Sequence, residues 1–285
     1  MATIAPTRID LAGGTTDIWP IWALLEYGTT VVNIAIDLTA EVSITKGRNR
    51  NSELIQCIID QYDLPEQTAL NIITNFPRQA GLAGSSCITI AAIKCLDSFC
   101  GIERDTRSTI QFASAIEAAV MRKPTGTQDY YPILFGGVNA IHYSLGSITH
   151  EHIHVKPRIY NLLKSVMLVQ PVGMHRSGDE NWNILKKIVD GDYNTLCHME
   201  TIASAGRMVY DAIIRDDVDA LCRGITLDTN ARIGLGTCNS NLPLIPNGCA
   251  KVCGAGGNAC VAIFGKQMPD AIVCNFTSLG AREKE

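Results

Sequence analysis

Residues 76–96, FPRQAGLAGSSCITIAAIKCL, decide the fold because a glycine-rich turn leads there directly into an apolar helix. From Ser86 to Phe99 the apolar residues recur at helical spacing, as on a helix that is buried. Backbone N–H groups at a helix start attract anions, and glycine lets a ligand approach the backbone closely. The stretch therefore predicts either a phosphate-binding loop or a helix that is merely capped after a turn. It lacks the Walker pattern G-x-x-x-x-G-K-[ST].

Strands and helices alternate on both sides of this stretch. Before and after it, the patterns predict a pair of strands within residues 29–45, helices at 52–62 and 105–122, and a strand at 69–76. ILFGGVNAIHY, residues 133–143, reads as a strand with a glycine bulge. The second half repeats the mixture, with a strand at 166–171, helices near 179–190, 194–214 and 217–229, and a last strand at 258–265.

The pattern predicts an α+β protein with α/β two-layer packing and a soft boundary near residues 155–165. No linker composition is visible there, so the two halves are expected to share an interface.

Composition narrows the classes of partner. Hydrophobic residues make up 46% and charged residues 18%, which is typical of a globular protein and not of a disordered one. The net charge is −4 and the basic residues are scattered, which argues against nucleic acid as a partner. There is no membrane-spanning stretch and no leader pattern, and the eleven cysteines form no C-x-x-C pair, so we expect reduced thiols, no membrane contact and a cytoplasmic location.

A second glycine cluster lies at residues 251–265, KVCGAGGNACVAIFG. Three of the four residues at 254–257 are glycine, namely Gly254, Gly256 and Gly257. Ordering such a loop costs conformational entropy, so it usually lies against a ligand or another backbone. A tight entry into a β-hairpin is the alternative.

Two further segments carry charges among small residues. Residues 5–17, APTRIDLAGGTTD, bring Arg8 close in sequence to Asp17, and an ion pair at the surface is the alternative to a functional role. In residues 124–131, PTGTQDYY, Asp129 lies in a loop before a predicted strand, where an Asx-turn is the alternative. Each of four scattered basic residues could either contact a substrate phosphate or be a solvated charge, and solvation is favoured for any single one: Lys123, His142, Arg176 and Lys251.

Glu117 falls on an apolar helical stripe with Ile110, Ala113 and Val120. Burying an unpaired carboxylate is expensive. The position therefore predicts either a metal or a cluster of hydroxyl groups around the carboxylate, or a rim position from which the side chain reaches water.

Three of these blocks, APTRIDLAGGTTD, PRQAGLAGSS and KVCGAGGNACVAIFG, resemble in this order the signature motifs of the GHMP kinase superfamily. The resemblance spans nearly the whole chain. Within the superfamily, APTRIDLAGGTTDI and GTQDYYPILFGGVNAIHY are most similar to the group of D-glycero-D-manno-heptose 7-phosphate kinase and the fucose kinases, and PRQAGLAGSS is also similar to glucuronokinases. The GLAGSS block is one residue longer than the commoner GLGSS.

This resemblance implies the GHMP kinase fold. Residues 1–158 would form an N-terminal half like domain 2 of ribosomal protein S5, with the ATP phosphate loop and the catalytic aspartate. Residues 159–285 would form a ferredoxin-like C-terminal half. The implied ligands are ATP and Mg²⁺, and a homodimer is compatible with the family.

The resemblance also implies roles for individual residues. Asp129 would be the catalytic aspartate and Arg8 its basic partner, while Glu117 with Ser85 or Ser86 would bind Mg²⁺. Residues of the turn would hold the phosphates of ATP: Gly81, Leu82, Ala83, Gly84, Ser85 and Ser86. Substrate-binding positions would come from the first and third motifs: Asp17, Gly13, Gly14, Thr16, Gly254, Gly256 and Gly257.

The function implied is phosphorylation of the anomeric hydroxyl of a sugar or sugar phosphate, with heptose 7-phosphate as the first hypothesis. Alternatives within the superfamily are a fucokinase or glucuronokinase, a kinase for mevalonate or homoserine, or a decarboxylase of the diphosphomevalonate kind. An alternative from another class is a non-catalytic protein that binds a sugar or nucleotide.

Overall fold

The computed structural model describes residues 1–47, 52–169, 177–238, 245, 248–254 and 259–284, with only the backbone at 177–180. The strands are β1 (Ala2–Ala12), β2 (Thr29–Lys46), β3 (Thr68–Thr74), β4 (Val138–Ser144), β5 (Ser147–Ile153), β6 (Ser165–Val169), β7 (Cys249–Val252), β8 (Val261–Phe264), β9 (Ile272–Asn275) and β10 (Arg282–Glu283). The helices are α1 (Ile21–Leu24), α2 (Glu53–Ile59), α3 (Gly84–Cys100), α4 (Thr106–Met121), α5 (Tyr130–Phe135), α6 (Pro157–Leu163), α7 (Ser177–Val189), α8 (Tyr193–Arg215) and α9 (Val218–Gly234).

The first sheet is antiparallel, in the order β10-β1-β2-β4-β5, with β3 also paired to β2. A core cluster on one of its faces joins it to α2, α3, α4 and α5. Ala5 and Val42 contribute to this core from the sheet, while Ile90 and Ile116 contribute from α3 and α4. The start of α3 is thus held by a helix that is buried along most of its length.

The second sheet is also antiparallel, in the order β7-β8-β6-β9. A second core cluster joins this sheet to α8, α9 and the first sheet, with Ile9 and Val32 from the first half and Val209, Leu221 and Phe264 from the second. The shared interface predicted between the halves is therefore confirmed, as is the α+β fold class. The domain boundary between residues 158 and 159 stays a prediction. The short strand β10, near the end of the chain, pairs with β1 in the first sheet.

The long strand β2 corrects the prediction of two strands within residues 29–45. Its first part pairs with β4 and its last part with β3, on the side opposite β1. One strand of 18 residues can serve both partners because it is longer than either of them. Local periodicity alone does not distinguish this arrangement from a hairpin.

The segment at 133–143 is a second correction. Ile133, Leu134 and Phe135 end the short helix α5, and the strand begins only after Gly136 and Gly137, both with positive φ. Asp129 therefore precedes a helix and not a strand. The strand at 258–265 is not the last, since β9 and β10 follow it.

Two expectations from composition concern compartment and membrane. All eleven cysteines are free and six of them are buried, as the prediction of reduced thiols requires. Within the described ranges, none of the helices is long and apolar enough to cross a membrane.

Candidate active site

The start of α3 follows directly on a turn at Gly81–Ala83, and we call this turn together with the first three helical residues the 81–86 bend. Gly81 and Ala83 both have positive φ, +76° and 59°, and the helix begins at Gly84. Among the described side chains none caps this helix. Ser85 and Ser86 instead turn their hydroxyl groups towards α4, so the interpretation of a merely capped helix is wrong. The N–H groups of the first helical turn have no intrahelical acceptor, and the residues that carry them line the cleft, so they are available to bind an anion.

Glu117 of α4 is surrounded by hydroxyl groups. Its Oε1 accepts hydrogen bonds from Ser85 (2.8 Å) and Thr89 (3.2 Å), and its Oε2 accepts from Ser86 (2.9 Å) and Tyr130 (2.5 Å). Only 5% of Glu117 is exposed, which excludes the rim position and confirms the hydroxyl cluster. Burial raises the pKa of this carboxyl, although the bonds from Tyr130 and the serines oppose the rise.

Arg8 and Asp129 form an ion pair beside this cluster. Arg8 donates from Nε (2.8 Å) and Nη2 (2.6 Å) to Asp129 Oδ1, and from Nη1 to the carbonyl oxygen of Gly81 (2.9 Å). Burial, the largest single effect, lowers the pKa of Arg8, but the charge and hydrogen bonds of Asp129 together with the charge of Asp10 outweigh burial, so the pKa is raised. The side chain of Asp129 is 25% exposed and that of Arg8 5%, so a ligand in the cleft can reach the aspartate.

The same pair excludes two of the simpler interpretations. Arg8 contacts Asp129 and not Asp17, and it is buried, so a surface ion pair is wrong. Asp129 stands at the start of α5 without capping it through its side chain, which removes the Asx-turn explanation. Oδ2 of Asp129 lies 3.5 Å from the hydroxyl of Ser86, which links the two groups of polar side chains.

Asp17 closes another side of the site. Its Oδ2 accepts a hydrogen bond from the backbone N–H of Gln128 and its Oδ1 from Nε2 of Gln128, both at 3.0 Å. Burial raises the pKa of Asp17 to about 6, against the Gln128 backbone bond and with the help of the nearby charges of Asp129 and Asp10. A side chain at Gly126 would collide with this carboxylate, since a Cβ there would lie 1.9 Å from Oδ2.

These groups line one cleft of about 1000 Å³. That volume accommodates a nucleotide together with a small second substrate. One set of lining residues is polar: Arg8, Thr15, Asp17, Ser85, Ser86, Glu117, Gln128 and Asp129. Another set is apolar and would suit a flat aromatic ring: Leu54, Ile55, Ile72, Phe76, Ile88 and Met121.

The third glycine motif packs against the 81–86 bend. A Cβ at Gly81 would lie 2.7 Å from the carbonyl oxygen of Cys253, and one at Gly254 would lie 3.0 Å from the Cα of Gly81. Gly254 also lines the cleft. The glycines thus allow two backbone segments to come into contact. The sequence predicted that this loop lies against either a ligand or another backbone, and the second is observed. Gly256 and Gly257 lie outside the described residues.

Gly13, Gly14 and Thr16 lie in a buried bend, residues 13–17, that leads to Asp17. Thr16 Oγ1 donates to the carbonyl oxygen of Gly13 and lies 2.7 Å from Thr29 Oγ1, and a Cβ at Gly13 would lie 2.2 Å from the carbonyl oxygen of Thr30. From this bend, Thr15 and Asp17 reach the cleft wall. The role of the other three in binding substrate stays a prediction.

The sequence did not reveal several side chains that shape the site. Tyr130, Thr89 and Gln128 hold the two buried carboxylates, yet a tyrosine, a threonine and a glutamine carry no pattern that marks this role. Lys251 was interpreted as solvated, which is wrong: it is fully buried and contacts Asp228 at 2.8 Å. Lys123 lines the cleft, His142 bonds Thr30, and Arg176 lies outside the described residues.

The oxygen atoms around Glu117 fit a magnesium ion. Mg²⁺ in nucleotide sites is typically held by one or two carboxylates together with phosphate oxygens, and not by an all-protein cage. Glu117 with the Ser85 and Ser86 hydroxyls supplies such a partial set, and among the described residues no group of three or more His, Cys, Asp or Glu forms a complete cage.

A helix start behind a glycine bend, facing two carboxylates and an arginine, is typical of proteins that bind a nucleoside triphosphate. Residues 51–137, which include this bend, match the family model "GHMP kinases N terminal domain". Over these residues the chain matches a GHMP kinase N-terminal domain, and the resemblance drawn from the motifs is confirmed at this level.

Two curated relatives, both from Arabidopsis thaliana, match part of the chain. Glucuronokinase 1 is 25% identical over 169 residues, 58% of this chain and 46% of its own length. Probable glucuronokinase 2 is 28% identical over 159 residues, 53% of this chain and 42% of its own length. The matched region thus spans less than half the length of these relatives.

Solved structures match the whole fold. A D-glycero-D-manno-heptose 1-phosphate kinase from Bacteroides thetaiotaomicron superposes with a TM-score of 0.73 at 18% identity, covering 98% of this chain and 97% of its own. Galactokinase from Lactococcus lactis, complexed with galactose, has a TM-score of 0.76 at 14% identity, with 99% and 94% covered. Mevalonate kinase from Methanococcus jannaschii has 0.71 at 18%, with 97% and 98% covered. The chain has the GHMP kinase fold.

Proposed function

We propose that this protein is an ATP-dependent kinase that phosphorylates the anomeric hydroxyl of a sugar or sugar phosphate. The observation that carries the proposal is the convergence of the Arg8–Asp129 pair and the Ser85–Ser86–Glu117 cluster on the start of α3, within one cleft. Phosphoryl transfer needs three things: an aligned acceptor, neutralised phosphate charge and a group that receives the acceptor's proton. The cleft contains candidate groups for each of these three requirements.

Asp129 is the proposed proton acceptor. Arg8 occupies Oδ1 with two hydrogen bonds, so Oδ2, which has only the longer 3.5 Å contact with the Ser86 hydroxyl, is the atom proposed to take the proton of the sugar hydroxyl. The sugar oxygen then forms a bond to the γ-phosphorus as the bond from that phosphorus to the bridging oxygen breaks, and ADP leaves. The N–H groups at the start of α3 and the 81–86 bend stabilise the phosphate charge.

Mg²⁺, when bound, neutralises charge that develops on the transferring phosphoryl group. Glu117 and the hydroxyls of Ser85 and Ser86 are the groups that would hold it, and Tyr130 and Thr89 fix the direction of the Glu117 carboxylate. The same side chains keep this buried carboxylate satisfied by hydrogen bonds, so no rearrangement of the core is needed before a ligand arrives.

Asp17 is the proposed sugar-binding residue. Gln128 holds both of its oxygens at the wall of the cleft, where a carboxylate can also accept hydrogen bonds from sugar hydroxyls. A heptose 7-phosphate is our first candidate for the substrate, from the motif resemblance and the fold match to a heptose phosphate kinase. Glucuronate is the second, because both curated relatives are named glucuronokinases.

The test is ADP release with ATP, Mg²⁺ and each candidate acceptor in turn: heptose 7-phosphate, glucuronate, fucose, galactose, mevalonate and homoserine. We expect turnover with at least one of the sugars, and a product whose phosphorus NMR signal couples to the anomeric proton. Turnover with mevalonate or homoserine alone would overturn the sugar assignment. ATP binding without turnover of any acceptor would favour a non-catalytic sensor.

A further inference from the structure

Four charged side chains are buried together behind the 13–17 bend. This buried charge cluster consists of Asp10 from β1, Asp228 and Arg232 from α9, and Lys251 from β7, each at most 1% exposed. Asp228 Oδ2 lies 2.8 Å from both Arg232 Nε and Lys251 Nζ. Asp10 Oδ2 lies 3.4 Å from Arg232 Nη2 and 3.7 Å from Lys251 Nζ. Two acidic and two basic groups balance the charge.

The cluster also holds the backbone of the bend. Arg232 Nη2 donates to the carbonyl oxygen of Gly14 at 2.8 Å, and Nη1 lies 3.3 Å from Thr15 Oγ1. Asp228 Oδ1 accepts the backbone N–H of Gly13 at 2.9 Å. A donor and an acceptor from one helix therefore fix consecutive residues of the bend, more than 200 positions earlier in the chain.

Stability alone does not explain such a cluster. Replacing buried ion pairs by apolar side chains of similar volume is often neutral or stabilising, because removing charges from water is expensive. A planar guanidinium, however, has several donors in a fixed arrangement and can orient several acceptors at once. Burial tends to raise the pKa of Asp228, but Arg232 and Lys251 lower it to about 2, so the Asp228 carboxylate is ionised at neutral pH.

The 13–17 bend is short and closed, which couples its backbone to the position of Asp17 in the cleft. Only three residues separate Gly13 from Asp17, and the bend is closed by hydrogen bonds from Thr16 N to Gly13 O and from Ile18 N to Thr15 O. A shift of the Gly14 carbonyl would therefore move the Asp17 carboxylate relative to Asp129. Helix α9, from the C-terminal half, therefore contacts the bend that leads to Asp17 in the cleft.

We propose that Arg232 and Asp228 are positioning residues that hold the 13–17 bend in register for binding the sugar. This inference rests on the proposed function of Asp17. It assigns to α9 a part in substrate affinity, although neither side chain is among those that line the described cleft.

The primary test is Arg232→Lys, which keeps the positive charge but loses the forked donors to Gly14 and Thr15. We expect the backbone amides of residues 13–17 to exchange with deuterium about 10-fold faster, while those of 81–86 are unchanged. With the substrate found by turnover, KM for the sugar should rise about 10-fold, as expected for a lost charged hydrogen bond, and KM for ATP and kcat should change less than 2-fold. The matched control is Arg104→Lys, which alters an Arg–Asp pair at Asp97 that lies away from the bend.

A second variant keeps the test decisive if Arg232→Lys does not fold. Asp228→Leu combined with Arg232→Met removes one charge of each sign and leaves the Asp10–Lys251 pair. It should fold and show the same fast exchange and the same rise in KM. Unchanged exchange at 13–17, equal loss of ATP and sugar affinity, or failure of both variants to fold would overturn the proposal. If the wild-type protein turns over no sugar, the proposed function fails, and the exchange of the bend still decides the positioning role.

Discussion

The cleft and the buried charge cluster are two groups of ionised side chains only a few residues apart along β1, and they are built differently. In the cleft, Arg8 pairs with Asp129, which is a quarter exposed, and hydroxyl groups surround Glu117. In the cluster, Arg232 and Lys251 pair with Asp228 out of contact with water. Hydroxyls can turn towards a ligand, whereas saturated ion pairs cannot.

We infer from this difference that the charged groups of the cleft take part in the reaction, whereas those of the buried cluster fix the position of the backbone. β1 carries both kinds, since Arg8 points into the cleft and Asp10, two residues on, lies in the cluster. Successive residues of a strand face opposite sides, so Arg8 and Asp10, two residues apart, share a side. Their positions along the strand therefore decide which site each one joins. Substitution of Asp129 in the cleft should change turnover, whereas substitutions in the cluster should change affinity for the sugar alone.

The largest effect is expected from Asp129→Asn. Asparagine cannot receive the acceptor's proton, so kcat should fall by about 100- to 10000-fold, the range for loss of a general base. ATP affinity, measured by calorimetry, should change little. The control is Asp97→Asn, another aspartate paired with an arginine, which should alter stability but not kcat. Residual turnover above one tenth in Asp129→Asn would contradict the assignment.

A smaller effect is expected from Tyr130→Phe. Loss of its hydrogen bond to Glu117 Oε2 removes one of the contacts that lower the pKa of this buried carboxyl, so the pKa should rise further. Weaker orientation of the carboxylate should reduce Mg²⁺ affinity by about 10-fold, with turnover rescued at high Mg²⁺. Tyr62→Phe, which loses a similar bond to Asp97 in another part of the fold, should leave the Mg²⁺ dependence unchanged. Equal responses of the two variants would show that Tyr130 acts on stability alone.

Asp17→Asn tests how much the buried, ionised carboxylate of Asp17 lowers the free energy of unfolding. The folded pKa of about 6 lies above the ordinary value near 4, so the folded state binds this proton more tightly than the unfolded state. Stability from this group is therefore present below pH 4, declines as pH rises from about 4 to 6, and is lost above that range.

Asparagine has no charge to bury, and its amide can donate to Gln128 Oε1, a buried atom without a partner among the described residues. The variant should gain about 1 to 3 kcal/mol of unfolding free energy at pH 7.5 and nothing near pH 4, in urea denaturation at both pH values. Sugar affinity should fall at the same time. A gain of equal size at both pH values would contradict the role of burial.

Much of the cleft followed from local sequence. The apolar period after Ser86 predicts α3, and the glycines before it predict a bend. Glu117 was found because a carboxylate interrupts an apolar helical stripe. Such signals lie within one element, where spacing alone determines which side chains share a face.

The rest depends on contacts between distant elements. Asp228 and Arg232 are four residues apart, which on a helix is also the pattern of an ordinary surface ion pair, and nothing nearby in sequence indicates that they bond Gly13 and Gly14. The long strand β2 was divided in two because its pairing with both β3 and β4 is a property of the sheet.

The most direct test of the central claim is a crystal structure with a non-hydrolysable ATP analogue and Mn²⁺, which is located by its anomalous scattering. We expect the phosphates to lie against the N–H groups of the 81–86 bend and Mn²⁺ to contact oxygen atoms of Glu117 or the adjacent serines. A nucleotide bound elsewhere, or a metal remote from Glu117, would contradict it.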